Sequence, residues 1–259
     1  MRKKLFCVAA ALLLSAAGAL SQDAGSIVHA SRTRIESNTT STRSTMIIKA
    51  KDGSETRRVM DQYSKNDARG NKRTVIVFQD PASVRGTRFL TVENPGKEDD
   101  RWIFLPSLGR VRRIAASEGS GSFVGTDFSY DDISSANRKA DLDNHKLLRE
   151  EQLNGRSCYV IESVPKDGSY QYSRMIQWID RETKANYRVE LYDKRSTHVK
   201  TLENGDFKDV QGRLTSLLTR MSTLAAGTST DLRSDIVKYD DPIPETVFTT
   251  TYLETGRAR

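Results

Sequence analysis

Thr74-Val75-Ile76-Val77-Phe78 and, further on, Arg101-Trp102-Ile103-Phe104-Leu105 are the stretches that decide the fold. Both are rich in β-branched and aromatic residues, and both are apolar on each parity. Val75 and Val77 point one way and Ile76 and Phe78 the other; Trp102 shares a face with Phe104, and Ile103 with Leu105. A sheet with one solvated face alternates apolar with polar residues, so here both faces must be covered. A sheet curled around an interior and backed by helices or loops meets that condition. So does a fully packed sandwich, because periodicity does not separate a cavity from a filled core. Large aromatics suit a wide apolar space, so Trp102 and Phe104 are expected to face the interior, with Ile176 and Trp178 as the matching pair on a later strand.

Outward from these runs the pattern repeats. Met46-Ile47-Ile48, Arg88-Phe89-Leu90-Thr91-Val92 and the stretches 158–164, 173–179, 187–192, 197–202, 214–218 and 236–239 read as strands, with turn residues such as Asp52-Gly53 and Asp80-Pro81 between some of them. Asn154-Gly155 and Asn204-Gly205 carry the strongest hairpin signals. Short strands without helical patterns between them predict an antiparallel sheet or barrel, not a parallel βαβ sheet. Residues 26–36 predict one short helix with Ile27, Ala30 and Ile35 as its stripe. No repeat and no Pro-rich linker divides the chain, so residues 22–259 are expected to form one domain.

One stretch, 117–143, interrupts the strands. It opens with the flexible composition Ser117-Glu118-Gly119-Ser120-Gly121-Ser122 and continues with Phe123, Phe128 and Tyr130. Three aromatics in eight residues exceed what a solvated loop carries, so the segment must cover something. A moving lid and a static plug both fit.

At the start, Arg2, Lys3 and Lys4 precede the uncharged run Leu5 to Leu20 and a cluster of small residues ending at Ser21. This is the pattern of a cleaved secretory signal, 1–21, and the run is short for a bilayer-spanning helix. The mature chain is expected to be exported and soluble. Cys7 lies in the leader, which leaves Cys158 alone, in a β-rich apolar run where it reads as a buried strand residue. The formal net charge is +7, of which the leader holds three positive charges, and the remaining cations are scattered among acids. No nucleic-acid footprint follows.

The sequence offers little catalytic chemistry. His29, His145 and His198 stand singly, and there is no nucleophile elbow, paired-cysteine zinc spacing or phosphate-cradling glycine loop. Asp131-Asp132 and Asp240-Asp241 read more naturally as turn or cap residues than as cation ligands. Neither a catalytic residue, a metal nor a cofactor is predicted, and no enzyme. The densest basic cluster is Arg110-Val111-Arg112-Arg113. Arg110, Arg112 and Arg113 suit phosphate head groups or an acidic partner, and equally a solvated strand end.

The run Arg101-Trp102-Ile103-Phe104-Leu105-Pro106-Ser107-Leu108-Gly109-Arg110-Val111-Arg112-Arg113-Ile114, followed by Phe123-Val124-Gly125-Thr126-Asp127-Phe128-Ser129-Tyr130-Asp131-Asp132, resembles the LolA-like family of outer-membrane lipoprotein-sorting proteins. Phe78 to Thr87 and Ile243 to Phe248 support the likeness. The resemblance implies a mainly β fold, a half-open antiparallel β-barrel with short helices as a lid over an apolar cavity. It implies a periplasmic, non-catalytic carrier of lipid or lipoprotein acyl chains towards the outer membrane, working as a monomer with an inner-membrane transporter and an outer-membrane acceptor. The lid would be the segments 123–133 and 244–253. On this reading the cavity and lid residues are Trp102, Phe104, Phe123, Phe128, Tyr130, Ile176, Trp178 and Phe248. Similar folds also serve as periplasmic regulatory modules that bind a membrane protein and respond to lipidated ligands, which is the alternative function.

Overall fold

The computed structural model describes residues 23–94, 98–134 and 138–258; the leader read in residues 1–21 lies outside them. Helix α1 (Ala24–Thr33) precedes β1 (Thr39–Lys49), β2 (Glu55–Asn66), β3 (Lys72–Asp80), β4 (Arg88–Val92), β5 (Asp100–Leu105) and β6 (Arg110–Arg113). A crossing segment containing α2 (Tyr130–Ser134) leads to β7 (Asp143–Leu153), β8 (Arg156–Pro165), β9 (Arg174–Asp180), β10 (Asn186–Tyr192), β11 (His198–Val210), β12 (Arg213–Thr223) and β13 (Thr228–Tyr239). α3 (Thr250–Thr255) follows. None of these helices is long and apolar enough to cross a membrane.

Among the described residues the 13 strands form one antiparallel sheet in the order β6-β5-β4-β3-β2-β1-β13-β12-β11-β10-β9-β8-β7. The sheet does not close on itself, and the fold is mainly β, a half-open barrel. The chain starts in the middle at β1 and steps outward, hairpin by hairpin, to the β6 edge. It then crosses to the opposite edge, β7, and steps back until β13 lies beside β1. The segment between β6 and β7 must therefore traverse a face of the sheet. The interruption visible in the sequence at 117–143 is that crossing.

Local chemistry sets the turns. At the β7–β8 turn Asn154 and Gly155 adopt φ of 52° and 78°, the left-handed pair that a two-residue hairpin favours. Asn204-Gly205 is not a turn. It lies within β11, paired with Thr219 and Leu218 of β12, and the reversal comes at Gln211-Gly212, with φ of 52° and 77°. The strands β2 and β7 escape the apolar pattern because β2 carries charge on its outer face and β7 is a charged edge strand, which discourages pairing with another chain. The helix starts earlier than expected because Asp23 caps it, accepting from the Gly25 and Ser26 amides. It ends before Ile35, burying Ala24, Ile27 and Val28.

The register assigns the faces. Ile76, Phe89 and Ile103 are cross-strand partners, as are Val75, Leu90 and Trp102 on the opposite face. In the other half, Met221, Leu202, Val189, Gln177, Ile161 and Leu147 follow one another across β12 to β7 on the same face as Ile76. This inner face carries the main core, Met46, Met60, Ile76, Phe78, Phe89, Ile103 and Met221 with the crossing segment, and the cluster of α1 with Tyr159, Ile161 and Ile179. The outer face has two apolar ends. One is covered by Val247, Phe248 and Leu253, and the other holds Cys158, Val160, Ile176 and Trp178. Between them runs a field of ion pairs such as Arg43–Asp61 at 2.7 Å and Arg188–Glu190 at 3.0 Å.

Candidate functional site

The inner face is sealed by the crossing segment, and the seal is built residue by residue. Arg112 on β6 donates to Glu118 at 2.6 Å, and Glu118 in turn accepts from the Ala115 amide, closing a 3-10 turn over Ala116–Glu118. Gly119 follows, buried, with its carbonyl accepting from the Asp131 amide at 2.9 Å. A Cβ at this position would stand 2.3 Å from Asp131 Oδ1, so glycine is required by close approach of the carboxylate, not for flexibility. The chain then folds into a small hairpin. Phe123 N–H donates to Phe128 O at 2.8 Å, and Val124 and Gly125 turn with φ of 51° and 74°. For a β-branched residue such as Val124 that is a strained backbone, and Arg58 of β2 donates to its carbonyl.

The aromatics of this hairpin fill the inner face. Phe123 has no solvent exposure and packs its ring against Phe89 at 5.1 Å, Tyr130 at 5.8 Å and Phe78 at 5.9 Å. Three carboxylates then fasten the segment to different parts of the sheet. Asp127 accepts from Thr228 and Thr230 on β13. Asp131 meets Arg101 of β5 at 2.7 Å. Asp132 accepts from Lys200 of β11 at 3.0 Å, from the Tyr172 hydroxyl at 2.9 Å and from Gln171 at 3.1 Å. Burial pushes the Asp131 carboxyl above its ordinary value although Arg101 opposes the shift, and burial with the nearby Asp132 charge raises the Tyr172 phenol. The segment is a plug, held by polar side chains over an apolar surface.

The eight apolar candidates do not line one space. Phe123, Phe128 and Tyr130 belong to the plug on the inner face. Trp102 and Phe104 point to the outer face, where Phe248 covers them and Arg88 lies over the Phe104 ring at 4.6 Å. The expectation for β5 is thus reversed: Ile103 is the residue that meets the plug. Ile176 and Trp178 also face outward, with Trp178 N–H donating to Glu151 and Arg188 over its ring. For the same reason the segments 123–133 and 244–253 cannot be lids of one cavity, since they cover opposite faces. Hollows of about 790 Å³ and about 540 Å³ are lined by other residues, and Phe123 itself is fully buried. Of the basic cluster, Arg112 is taken by Glu118 and Arg113 by Asp100, while Arg110 is exposed. Among the described residues no three His, Cys, Asp or Glu side chains gather as metal ligands.

The sequence reading missed Arg58, Asp127, Arg101 and Lys200 as plug contacts. The signal available was the spacing of acids and aromatics in Asp127-Phe128-Ser129-Tyr130-Asp131-Asp132, where aromatics bury themselves and acids reach past them.

Residues 70–255 match a family model described as an uncharacterized protein. The chain belongs to that family, and its fold is LolA-like. The crystal structure of a DUF1329 family protein from Desulfovibrio piger aligns with a TM-score of 0.85 and 29% identity, over 89% of this chain and 97% of that one. That of an outer membrane lipoprotein-sorting protein domain from Vibrio parahaemolyticus gives 0.84 and 27%, over 89% and 98%. A LolA superfamily protein from Nitrosomonas europaea shares the fold, with 0.72 and 23% over 89% and 99%. No curated protein matches the sequence. In this LolA-like chain the quoted motif 123–132 is the plug itself, while the other quoted run, 101–114, forms β5 and β6 at the edge of the sheet.

Proposed function

We propose that this protein is a periplasmic, non-catalytic carrier that binds lipid or lipoprotein acyl chains on the inner face of the half-barrel and conveys them towards the outer membrane. The observation that carries the reading is the construction of the plug: irregular chain, held by side-chain hydrogen bonds and ion pairs, lying on a broad apolar sheet face. Polar contacts of this kind exchange for water at a modest net cost, so the plug can leave without breaking the sheet ladder. An acyl chain then takes the place of Phe123 and Tyr130 against Phe78, Phe89 and Ile103. Each buried CH₂ contributes about 0.8 kcal/mol, so a long chain supplies on the order of 10 kcal/mol before ordering costs. The relative from Vibrio parahaemolyticus, described as a lipoprotein-sorting domain, supports the cargo class. An inner-membrane transporter as donor and an outer-membrane acceptor complete the route.

The test is extraction and mass spectrometry of lipid from protein purified from its own host. The expected result is about one acyl-bearing molecule per chain, lost when Phe89 or Ile103 is replaced by Asp in a variant that still folds. Protein that carries no acyl ligand and binds no fatty acyl probe overturns the reading.

A further inference from the structure

The groups that hold the plug's three carboxylates are all donors. Asp127 accepts from the hydroxyls of Thr228 and Thr230, the second at 2.7 Å. Asp131 accepts from Arg101 at 2.7 Å, and Asp132 from Lys200 at 3.0 Å, Tyr172 at 2.9 Å and Gln171 at 3.1 Å. The carboxylates leave with the plug and the donors stay with the sheet. Asp99 remains near Arg101, so that guanidinium keeps a partial counter-charge. Lys200 does not: among the described residues Asp132 is the one carboxylate that pairs with it. Arg58 on β2 donates to the Val124 carbonyl, pairs with no carboxylate among the described residues, and keeps its Nε buried without an acceptor. Lys200 alternates with Leu202 along β11, so both point to the inner face, where Met221 is the cross-strand partner of Leu202. A bare hydrocarbon lying there would cover Leu202 and Met221 and leave the ammonium group with neither counter-charge nor acceptor. That is costly for a charge held away from water.

We propose that the ligand which displaces the plug is an anionic amphiphile, an acyl chain ending in a carboxylate or phosphate, and that Lys200, Tyr172 and Gln171 receive its charged end where Asp132 now sits. The inference rests on the carrier reading and adds to it the charge of the cargo. In the closed protein the Asp132 carboxylate stands in the place of the head group, and Phe123 and Tyr130 in that of the chain. An ammonium and a phenol give charge-assisted hydrogen bonds to such an anion, and Thr228, Thr230 and Arg58 add donors on the same face.

Calorimetric titration of the purified protein with laurate, dodecyl phosphate and monolauroylglycerol, each below its micelle concentration, tests it. The plug must open for all three, so its cost cancels in the ratio of their affinities. Laurate and dodecyl phosphate are each expected to bind about tenfold or more tighter than the uncharged ester. Lys200→Met should bring that ratio down to about threefold or less, while Lys200→Arg, which keeps the charge, retains most of it. Lys51→Met, in the exposed β1–β2 turn, should leave it unchanged. Equal affinity of the charged and uncharged compounds for the unmodified protein, a comparison that needs no variant to fold, overturns the inference and leaves the carrier reading standing. So does an undiminished ratio in a folded Lys200→Met protein. Binding of none of the three removes the carrier reading and this inference with it. Inorganic phosphate or acetate binding as tightly as the acyl compounds overturns it as well, because the ligand would then be a small anion without a chain.

Discussion

Lys200 Nζ on β11 lies 3.0 Å from the Asp132 carboxylate of the plug, and both side chains are largely buried. The next residue back, Asp131, grips Arg101 on β5, in the other half of the sheet. Two adjacent carboxylates therefore tie the crossing segment to strands that stand seven places apart in the sheet order.

Lys200→Met should leave Asp132 as a buried charge with only neutral donors. Loss of one partner of such a pair costs roughly 3 kcal/mol. Denaturant unfolding measures the loss, and a double-mutant cycle with Asp132→Asn should show coupling; additive effects would mean the bridge contributes nothing.

Gly119→Ala places a methyl group against the Asp131 carboxylate and should cost about 2 kcal/mol through displacement of the Asp131–Arg101 pair. Hydrogen exchange localises the effect: the amides of Phe123, Asp127 and Asp131 should lose protection while the β8–β9 ladder keeps it. Uniform loss across the sheet would count against a locally anchored plug.

Neither tryptophan faces the plug, so a fatty acyl probe bound on the inner face should leave the fluorescence of Trp102 and Trp178 nearly unchanged. A tryptophan introduced as Tyr130→Trp should respond. A strong change in the unmodified protein would place the ligand on the outer face instead.

Acid should weaken the sheet through the outer ion pairs. Hydrogen bonding from Arg220 holds the Asp231 carboxyl below its ordinary value of 3.8. A folded value below the unfolded one means the stabilisation is present above 3.8 and is lost as pH falls through the folded value. Asp231→Asn should remove this part of the acid dependence, so melting temperatures of the two proteins should converge as pH drops below that range; parallel curves would refute the assignment.

The sequence by itself determined the class of fold and the place of the closure. Doubly apolar runs such as Thr74-Val75-Ile76-Val77-Phe78 demand a sheet covered on both faces, and a segment as aromatic as 123–130 cannot stay in water. Asn154-Gly155 fixed one hairpin because its two residues tolerate a left-handed backbone. Only the tertiary structure decided which face of each strand looks inward. Ile103 and Trp102 are both apolar, alternation gives two equivalent parities, and the choice came from register across thirteen strands, which adjacent residues do not encode. The same holds for Asp127, Asp131 and Asp132. Their type suits turns and caps anywhere, and their partners on β13, β5 and β11 become neighbours only because the chain crosses from one edge of the sheet to the other.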